Sequence, residues 1–308
     1  MHKVLVTGGA GFIGSHTVDH LLEREQHVVV LDNFSSGDKR NLPLGHPQLK
    51  VVEGDIRDVS AVAEAAEGIT HCLHLAAQVS VVKSLEDPAD SASQNILGFI
   101  NVLNAAKNNK VERFVYASSA AVYGNPVSLP LNETVSLNPE SPYGLEKQIN
   151  ELYVDLFKGL YAISACGMRY FNVYGPRQDP KSPYAGVIAL FSNAIQANQP
   201  LTIFGDGLQT RDFIYINDVA RANVVALGSD YQGALNIATG ATVTLLELIE
   251  TIEKIVGNKC DKEFKPAREG DIKHSAASAS ELHKSLKMTA RHSLEEGLRE
   301  LLNELVRV

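Results

Sequence analysis

The chain has 308 residues, 44% of them hydrophobic, and 28 Lys and Arg against 36 Asp and Glu give a net charge of −8. That size and composition suit a soluble globular protein of one large or two small domains with a substantial core. The acidic balance argues against nucleic acid as the main partner, and no apolar run reaches membrane-spanning length.

The N-terminus enters a predicted strand at once, Lys3–Val6, so no signal peptide is expected. Next comes Thr7-Gly8-Gly9-Ala10-Gly11-Phe12-Ile13-Gly14, leading into a helical stretch over Phe12–Glu23. Only glycine tolerates the backbone angles of so sharp a turn, and only a missing side chain lets the backbone touch a pyrophosphate. The following helix offers unpaired N–H groups and a partial positive charge to phosphates. With a strand before and a helix after, Gly8, Gly11 and Gly14 predict the phosphate cradle of a dinucleotide-binding fold. The second predicted strand, His27–Leu31, ends at Asp32, about twenty residues beyond the turn, where an acidic reader of the ribose is expected. A carboxylate accepts from a 2′-hydroxyl and repels a 2′-phosphate, which predicts NAD rather than NADP.

Further strands are predicted at Leu49–Glu53, His71–Leu75, Arg113–Ala117 and Ile163–Arg169, with helices near Val59–Ala66, Asp90–Lys107 and Pro142–Leu160. This alternation implies βαβ units and a doubly wound parallel sheet of Rossmann type. Beyond Arg169 the pattern loosens into Pro- and Gly-rich loops, with helices over Gly186–Ala197, Asn217–Leu227, Thr244–Val256 and Leu294–Leu305. The expected organisation is a dinucleotide-binding domain over 1–168, with segments near 212–238 such as Ala234–Ile237 returning to the sheet. A smaller α/β substrate domain covers 169–308. Ligands of open α/β sheets bind beyond the carboxyl ends of the strands, so the loops there carry the chemistry.

The strand Arg113–Ala117 runs into Ser118-Ser119-Ala120-Ala121-Val122-Tyr123-Gly124, and Ser141-Pro142-Tyr143-Gly144-Leu145-Glu146-Lys147 follows. With Pro142 opening a helix, Tyr143 and Lys147 share one face. A lysine cation, together with a positive nicotinamide, favours the phenolate, making Tyr143 a general base or acid near neutral pH. Ser119 shares the same substrate oxygen and relays its proton.

These segments resemble the extended short-chain dehydrogenases, and within them the UDP-sugar 4-epimerases, over essentially the whole chain. The resemblance rests on TGGAGFIG, Gly54-Asp55-Ile56-Arg57-Asp58, His74-Leu75-Ala76-Ala77, SSAAVYG and Tyr143…Lys147. It continues through Arg169-Tyr170-Phe171-Asn172-Val173-Tyr174-Gly175, Arg211-Asp212-Phe213-Ile214 and Arg268-Glu269-Gly270-Asp271. It implies that Phe12, Ile13, Asn33, Ser35, Ser36, Gly37, Asp55, Ile56, Leu75, Ala76, Ala77, Gln78, Asn95, Ala117 and Phe171 line the NAD groove. Tyr143 and Lys147 also belong to that groove. Asn172, Arg211 and Arg268 would bind the nucleotide diphosphate and Asp271 the uridine ribose; an arginine fork pairs with phosphate oxygens at two points. Thr202, Phe204 and Val187 join the substrate-binding set.

The implied reaction takes a proton from the sugar 4-hydroxyl and a hydride from C4, then returns both with the sugar turned over. Ala120 and Ala121 stand where nucleotide-sugar 4,6-dehydratases carry Asp and Glu, where UDP-glucuronate decarboxylases usually carry Glu at the second position, and where GDP-sugar 3,5-epimerases carry Cys. Those rivals are disfavoured. Ser80, Asn172, Gln178, Gly186 and Ser275 are implied to border the sugar. Ser275, four after Asp271, leaves room for a 2-acetamido group where a tyrosine would exclude it. Val79 stands where close relatives often have glycine and narrows the same pocket. The expected substrates are UDP-GlcNAc/UDP-GalNAc and UDP-Glc/UDP-Gal. The alternatives are a UDP-glucuronate 4-epimerase, another nucleotide-sugar-modifying short-chain dehydrogenase, and a non-catalytic NAD-binding regulator.

Cys72, Cys166 and Cys260 show no metal-ligand spacing and read as free thiols of a reducing cytoplasm. His71 and His74 flank Cys72, but strand alternation puts His71 and Cys72 on opposite faces, so no metal site is expected. The helices containing Asn95–Leu103 and Asn150–Phe157 correspond to those that pair across a two-fold axis in this family, which implies a homodimer.

Overall fold

The computed structural model describes residues 2–125, 128–178, 186–267 and 273–305. The first elements are β1 (Lys3–Thr7), α1 (Phe12–Leu22), β2 (His27–Asp32), β3 (Leu49–Glu53), α2 (Val59–Ala65), β4 (His71–His74), α3 (Val81–Glu86) and α4 (Pro88–Ala92). Then come α5 (Gly98–Asn108), β5 (Arg113–Ser119), α6 (Pro142–Tyr161), β6 (Ala165–Tyr170), β7 (Asn172–Tyr174), α7 (Val187–Gln196) and β8 (Leu201–Phe204). The remainder is β9 (Thr210–Arg211), β10 (Phe213–Tyr215), α8 (Ile216–Leu227), β11 (Gly233–Ile237), β12 (Val243–Thr244), α9 (Leu245–Val256), β13 (Lys262–Lys265), α10 (Ser280–Leu286) and α11 (Leu294–Leu305).

Seven strands form one all-parallel sheet in the order β11-β6-β5-β4-β1-β2-β3. The strand order reverses between β1 and β4, which opens a crevice at their carboxyl ends. Strands covered on both faces read as continuous apolar runs, and β1 shows why. Val4 and Val6 join the core on one face with α1 and α8, through Val18, Leu21, Val219 and Ala222. Leu5 joins the other face with α2, α5 and α6, through Val62, Phe99, Val102 and Val154. Full burial of one such side chain contributes about 1.5–3 kcal/mol. On this second face Phe99 meets His74, Phe114 and Tyr116 edge-on at 5.2, 5.9 and 5.5 Å.

The helix expected over Asp90–Lys107 is three pieces. Between α4 and α5, Ser93–Leu97 forms a π-helical turn that buries Asn95. An extra residue in a turn rotates the side chains beyond it, and such turns recur at functional sites. At α6, Ser141 caps the helix by accepting from the Gly144 amide at 3.1 Å, and Pro142 fills the first turn where no donor is needed. β5 and α6 thereby deliver Ser119 and Tyr143 to the crevice.

Three short two-stranded pairings, β7–β10, β9–β12 and β8–β13, lie outside the main sheet. Among the described residues no helix is long and apolar enough to cross a membrane.

Candidate active site

The glycine turn follows β1 directly. Gly8 has φ +70°, and a Cβ there would lie 2.7 Å from the Ala76 amide nitrogen. A Cβ on Gly14 would fall 2.1 Å from the Gly8 carbonyl oxygen. Neither position admits a side chain, and Gly11 opens α1 with no side-chain cap. Asp32, at the end of β2, accepts from the Ala10 amide at 2.9 Å and from the Phe34 amide at 2.8 Å. Its two oxygens offer about four acceptor sites in all, so capacity remains for a ribose hydroxyl. Gly37 closes over Ala10, with its Cβ position 3.0 Å from the Asp32 Oδ1 oxygen. This bare-backbone cradle with a buried carboxylate beside it fits a dinucleotide. The protein is expected to bind NAD at least about tenfold more tightly than NADP, or about 1.4 kcal/mol. Equal affinities by titration calorimetry would remove Asp32 from that role.

The neighbouring loops carry the other groove residues. Asp55 is held by the Arg57 guanidinium at 2.8 and 3.0 Å and by the Asn33 amide at 3.0 Å. The Arg57 hydrogen bonds bring its pKa down to about 2. The Asn33 side-chain oxygen in turn accepts from the Ser35 amide at 3.1 Å. Ile56 is buried, and its carbonyl accepts from Asn101. Beyond β4, the Ala76 amide donates to Thr7 Oγ1. Asn95 clamps Gln78 from both sides, accepting from its amide and donating to its carbonyl at 2.8 Å each. Asn95 therefore shapes the groove wall through the loop. Arg57, Ser91 and Glu146 have site-shaping partners that sequence reasoning passed over; a charge beside a loop or a lysine reads as solvated.

Ser119 ends β5 and accepts from the Ala121 amide at 3.1 Å. Tyr143 stands in the first turn of α6, its amide donating to Ser84 Oγ at 3.2 Å. One turn later Lys147 is buried, its ammonium donating to the Ala117 carbonyl at 3.1 Å and lying 5.7 Å from the Tyr143 ring centre. Burial brings the Lys147 pKa down to about 8, with the Glu146 carboxylate pulling the other way. Burial raises the Tyr143 phenol above its ordinary value, opposed by a hydrogen bond with Ser119 and reinforced by Glu146. In the protein alone desolvation of the phenol dominates; the lysine and nicotinamide charges expected to favour the phenolate act together only with NAD bound. His74 is held neutral, pushed down to about 3 by burial and by the charge of Lys147. Its Nδ1 pairs with Thr7 Oγ1 at 2.8 Å.

Phe171, between β6 and β7, is buried with its ring 6.4 Å from that of Tyr123. Asn172 donates to the Asp212 carbonyl at 2.9 Å, next to Arg211. Arg211 donates to the Thr210 carbonyl at 2.9 Å, and the Ser275 amide donates to the same carbonyl at 3.1 Å. Asn172, Arg211 and Ser275 are thereby assembled around β9. Gln178 and Gly186 are adjacent, since a Cβ on Gly186 would lie 3.3 Å from Gln178 Nε2. Among the described residues the Gln178 Oε1 atom is buried without a hydrogen-bond partner. Ser80 caps α3 through the Lys83 amide, while Val79 is 68% exposed. Val187 opens α7, and Thr202 and Phe204 lie on β8 beside β13. Arg268 and Asp271 lie outside the described residues.

At the opposite, amino ends of the strands, donor atoms of His2, His71 and Glu112 come within 4.8 Å of one another. Cys72 and Cys166 are buried, and burial raises both thiols, Cys166 to about 12.

Residues 4–238 match the NAD dependent epimerase/dehydratase family. A putative UDP-glucose 4-epimerase of Methanocaldococcus jannaschii is 40% identical over 302 residues, 97% of each chain. The UDP-N-acetylglucosamine 4-epimerase of Methanobrevibacter ruminantium M1, solved with UDP-N-acetylmuramic acid, superimposes with a TM-score of 0.96 at 38% identity, covering 99% of this chain and 98% of that one. The UDP-glucose 4-epimerase of Thermotoga maritima, solved with UDP-glucose, gives 0.94 at 36% identity, with 99% of each chain covered.

Proposed function

The chain belongs to the NAD dependent epimerase/dehydratase family, and we propose that it is a UDP-hexose 4-epimerase acting on UDP-GlcNAc/UDP-GalNAc and UDP-Glc/UDP-Gal. The observation that carries this reading is the gathering of Ser119, at the end of β5, with Tyr143 and Lys147 in the first turns of α6. The similarity to 4-epimerases over nearly the full chain supports the same reaction class. Residues 1–168 and the return near 212–238 hold NAD, and 169–308 mainly hold the nucleotide sugar.

Bound NAD supplies a hydride acceptor at C4 that also gives the hydride back. Tyr143, as phenolate, takes the 4-hydroxyl proton and, as phenol, later gives it back. Ser119 stays hydrogen-bonded to the same oxygen and keeps the proton path short. Lys147, while protonated, places a positive charge near the phenol, and with the positive nicotinamide this lowers the cost of ionising it. Asn172 and Arg211, with Arg268 and Asp271, anchor the uridine diphosphate. The energy of those remote contacts holds a hexose that is itself free to turn, a general use of binding energy in catalysis. Ala120 and Ala121 present no proton donor or acceptor to C5 or C6, which supports epimerisation over elimination.

Ser275 is small, and its amide is tied beside Arg211 through Thr210. Ser275→Tyr is expected to abolish turnover of UDP-GlcNAc while sparing UDP-Glc; loss of both would remove the size-gate role. A proton NMR time course on an equimolar UDP-Glc and UDP-GlcNAc mixture tests the whole reading through the new galacto anomeric signals. Turnover of UDP-Glc alone places the barrier at Val79 or another wall. No change in either sugar sinks the substrate assignment.

The active form is a homodimer. The outer face of α6 carries Leu145, Ile149, Leu152, Leu156 and Leu160 at helical spacing, and four of the five are half or more exposed. Such a stripe is costly to leave in water. Light scattering is expected to give twice the chain mass of 33.4 kDa, and Leu152→Glu with Leu156→Glu to give one. A monomeric wild type refutes the dimer.

A further inference from the structure

Glu146 is a buried carboxylate on α6 that the proposed chemistry does not use. Its Oε2 accepts from Ser91 Oγ at 2.9 Å and from Asn95 Nδ2 at 2.6 Å. Asn95 gives its other amide hydrogen to the Gln78 carbonyl and accepts from the Gln78 amide. Gln78 donates through Nε2 to the Ser80 carbonyl at 2.9 Å and to Ser91 Oγ at 3.2 Å, and its Oε1 accepts from the Ser80 amide. Every hydrogen in this ring has one direction. Ser91 receives from Gln78 and gives to Glu146, and both Asn95 hydrogens are spent. The ring closes only with an acceptor at position 146. We propose that Glu146 is a positioning residue, fastening the groove loop Leu75–Ser80 to the catalytic helix and fixing the charge balance beneath Tyr143 and Lys147. The second half rests on the reading of those two residues as the acid–base pair.

A glutamine would satisfy the same two donors, so the ring alone does not explain a charged residue. A buried carboxylate is costly unless it does electrostatic work. Among the described residues Glu146 and Lys147 form no direct ion pair, yet the carboxylate opposes the loss of charge on Lys147 and the ionisation of Tyr143. Other charges on elements packed against α6 are arranged to interfere little. His74 on β4 is neutral. Lys83 and Glu86 on α3 are exposed, and Asp90 on α4 is paired with Arg57. Glu151 on α6 and Arg169 on β6 neutralise each other at 2.7 Å.

The test compares NAD-loaded wild type, Glu146→Gln and Glu146→Leu in NAD release on dilution and in kcat against pH. Glu146→Gln is expected to hold NAD within twofold of wild type. Its pH profile should move to lower pH by about one unit, because removing a nearby negative charge eases deprotonation of both groups. Glu146→Leu orphans two donors and is expected to release NAD at least tenfold faster. A wild-type profile for Glu146→Gln, or wild-type NAD release for Glu146→Leu, overturns the proposal. If Glu146→Leu does not fold, Ser91→Ala replaces it: release faster by threefold or more supports the ring, and unchanged release overturns it. Absence of wild-type turnover on UDP-sugars would sink the proposed function, while NAD release still decides whether the ring positions the loop.

Discussion

Tyr143→Phe is expected to lower kcat for epimerisation by about 10²–10⁴-fold, the range contributed by a positioned acid–base group. The substitution removes one oxygen and leaves the ring. The Tyr143 amide, not its side chain, donates to Ser84, and the Lys147 ammonium is held by the Ala117 carbonyl. The helix start and the lysine therefore stay in place, and NAD affinity should change little. A loss confined to kcat, with KM and NAD binding near wild type, is the signature of a group that acts only in the reaction. The wild-type profile carries a second mark. Lys147 has a pKa near 8, so its charge is present below that pH and lost as pH rises through it. Activity that depends on the ammonium falls on the alkaline side, and Lys147→Met should remove that limb. Turnover by Tyr143→Phe within fivefold of wild type would take the base role away from Tyr143.

Much of this site was legible because its parts are local. The cradle is eight consecutive residues, and the Tyr143–Lys147 pair is one helical turn. The sheet was legible for a related reason. Strands buried on both faces read as apolar runs such as Val28–Leu31, whatever packs on them. What escaped is what depends on contacts far apart in the chain. Glu146 next to Lys147 reads as an ordinary surface pair, and only the fold brings Ser91 and Asn95 to its carboxylate. The π turn at Ser93–Leu97 left no trace, because one added residue barely disturbs a helical period. Strands of two or three residues, β7, β9, β10 and β12, are too short to show alternation. The Tyr–Lys spacing reports which charge stands near the phenol, whereas the desolvation that raises it in the protein alone depends on the elements packed around α6.

Arg169→Met is expected to destabilise the fold by about 3–5 kcal/mol, the cost of leaving one member of a buried ion pair alone. Arg169 on β6 donates to Glu151 on α6 through Nε at 2.9 Å and Nη2 at 2.7 Å, and both side chains are a tenth exposed or less. Burial works against the guanidinium charge, but the Glu151 hydrogen bonds and charge outweigh it and raise its pKa. The pair sits inside a wider network. Ser118 donates to Glu151 at 2.6 Å, Arg169 donates to the Tyr123 hydroxyl at 2.8 Å, and Tyr123 donates to Asn236 at 2.6 Å. This chain of contacts joins α6, β5, β6 and β11 directly behind Ser119. Removing the arginine strands a carboxylate with Ser118 as its remaining donor in the network. Removing both charges in Glu151→Leu with Arg169→Met leaves no stranded charge, and the double variant should recover most of the lost stability. The check is the unfolding midpoint in urea for the two single variants and the double. If Arg169→Met lies within 1 kcal/mol of wild type, or the double variant is as unstable as the sum of the singles, the pair does not hold β6 to the catalytic helix.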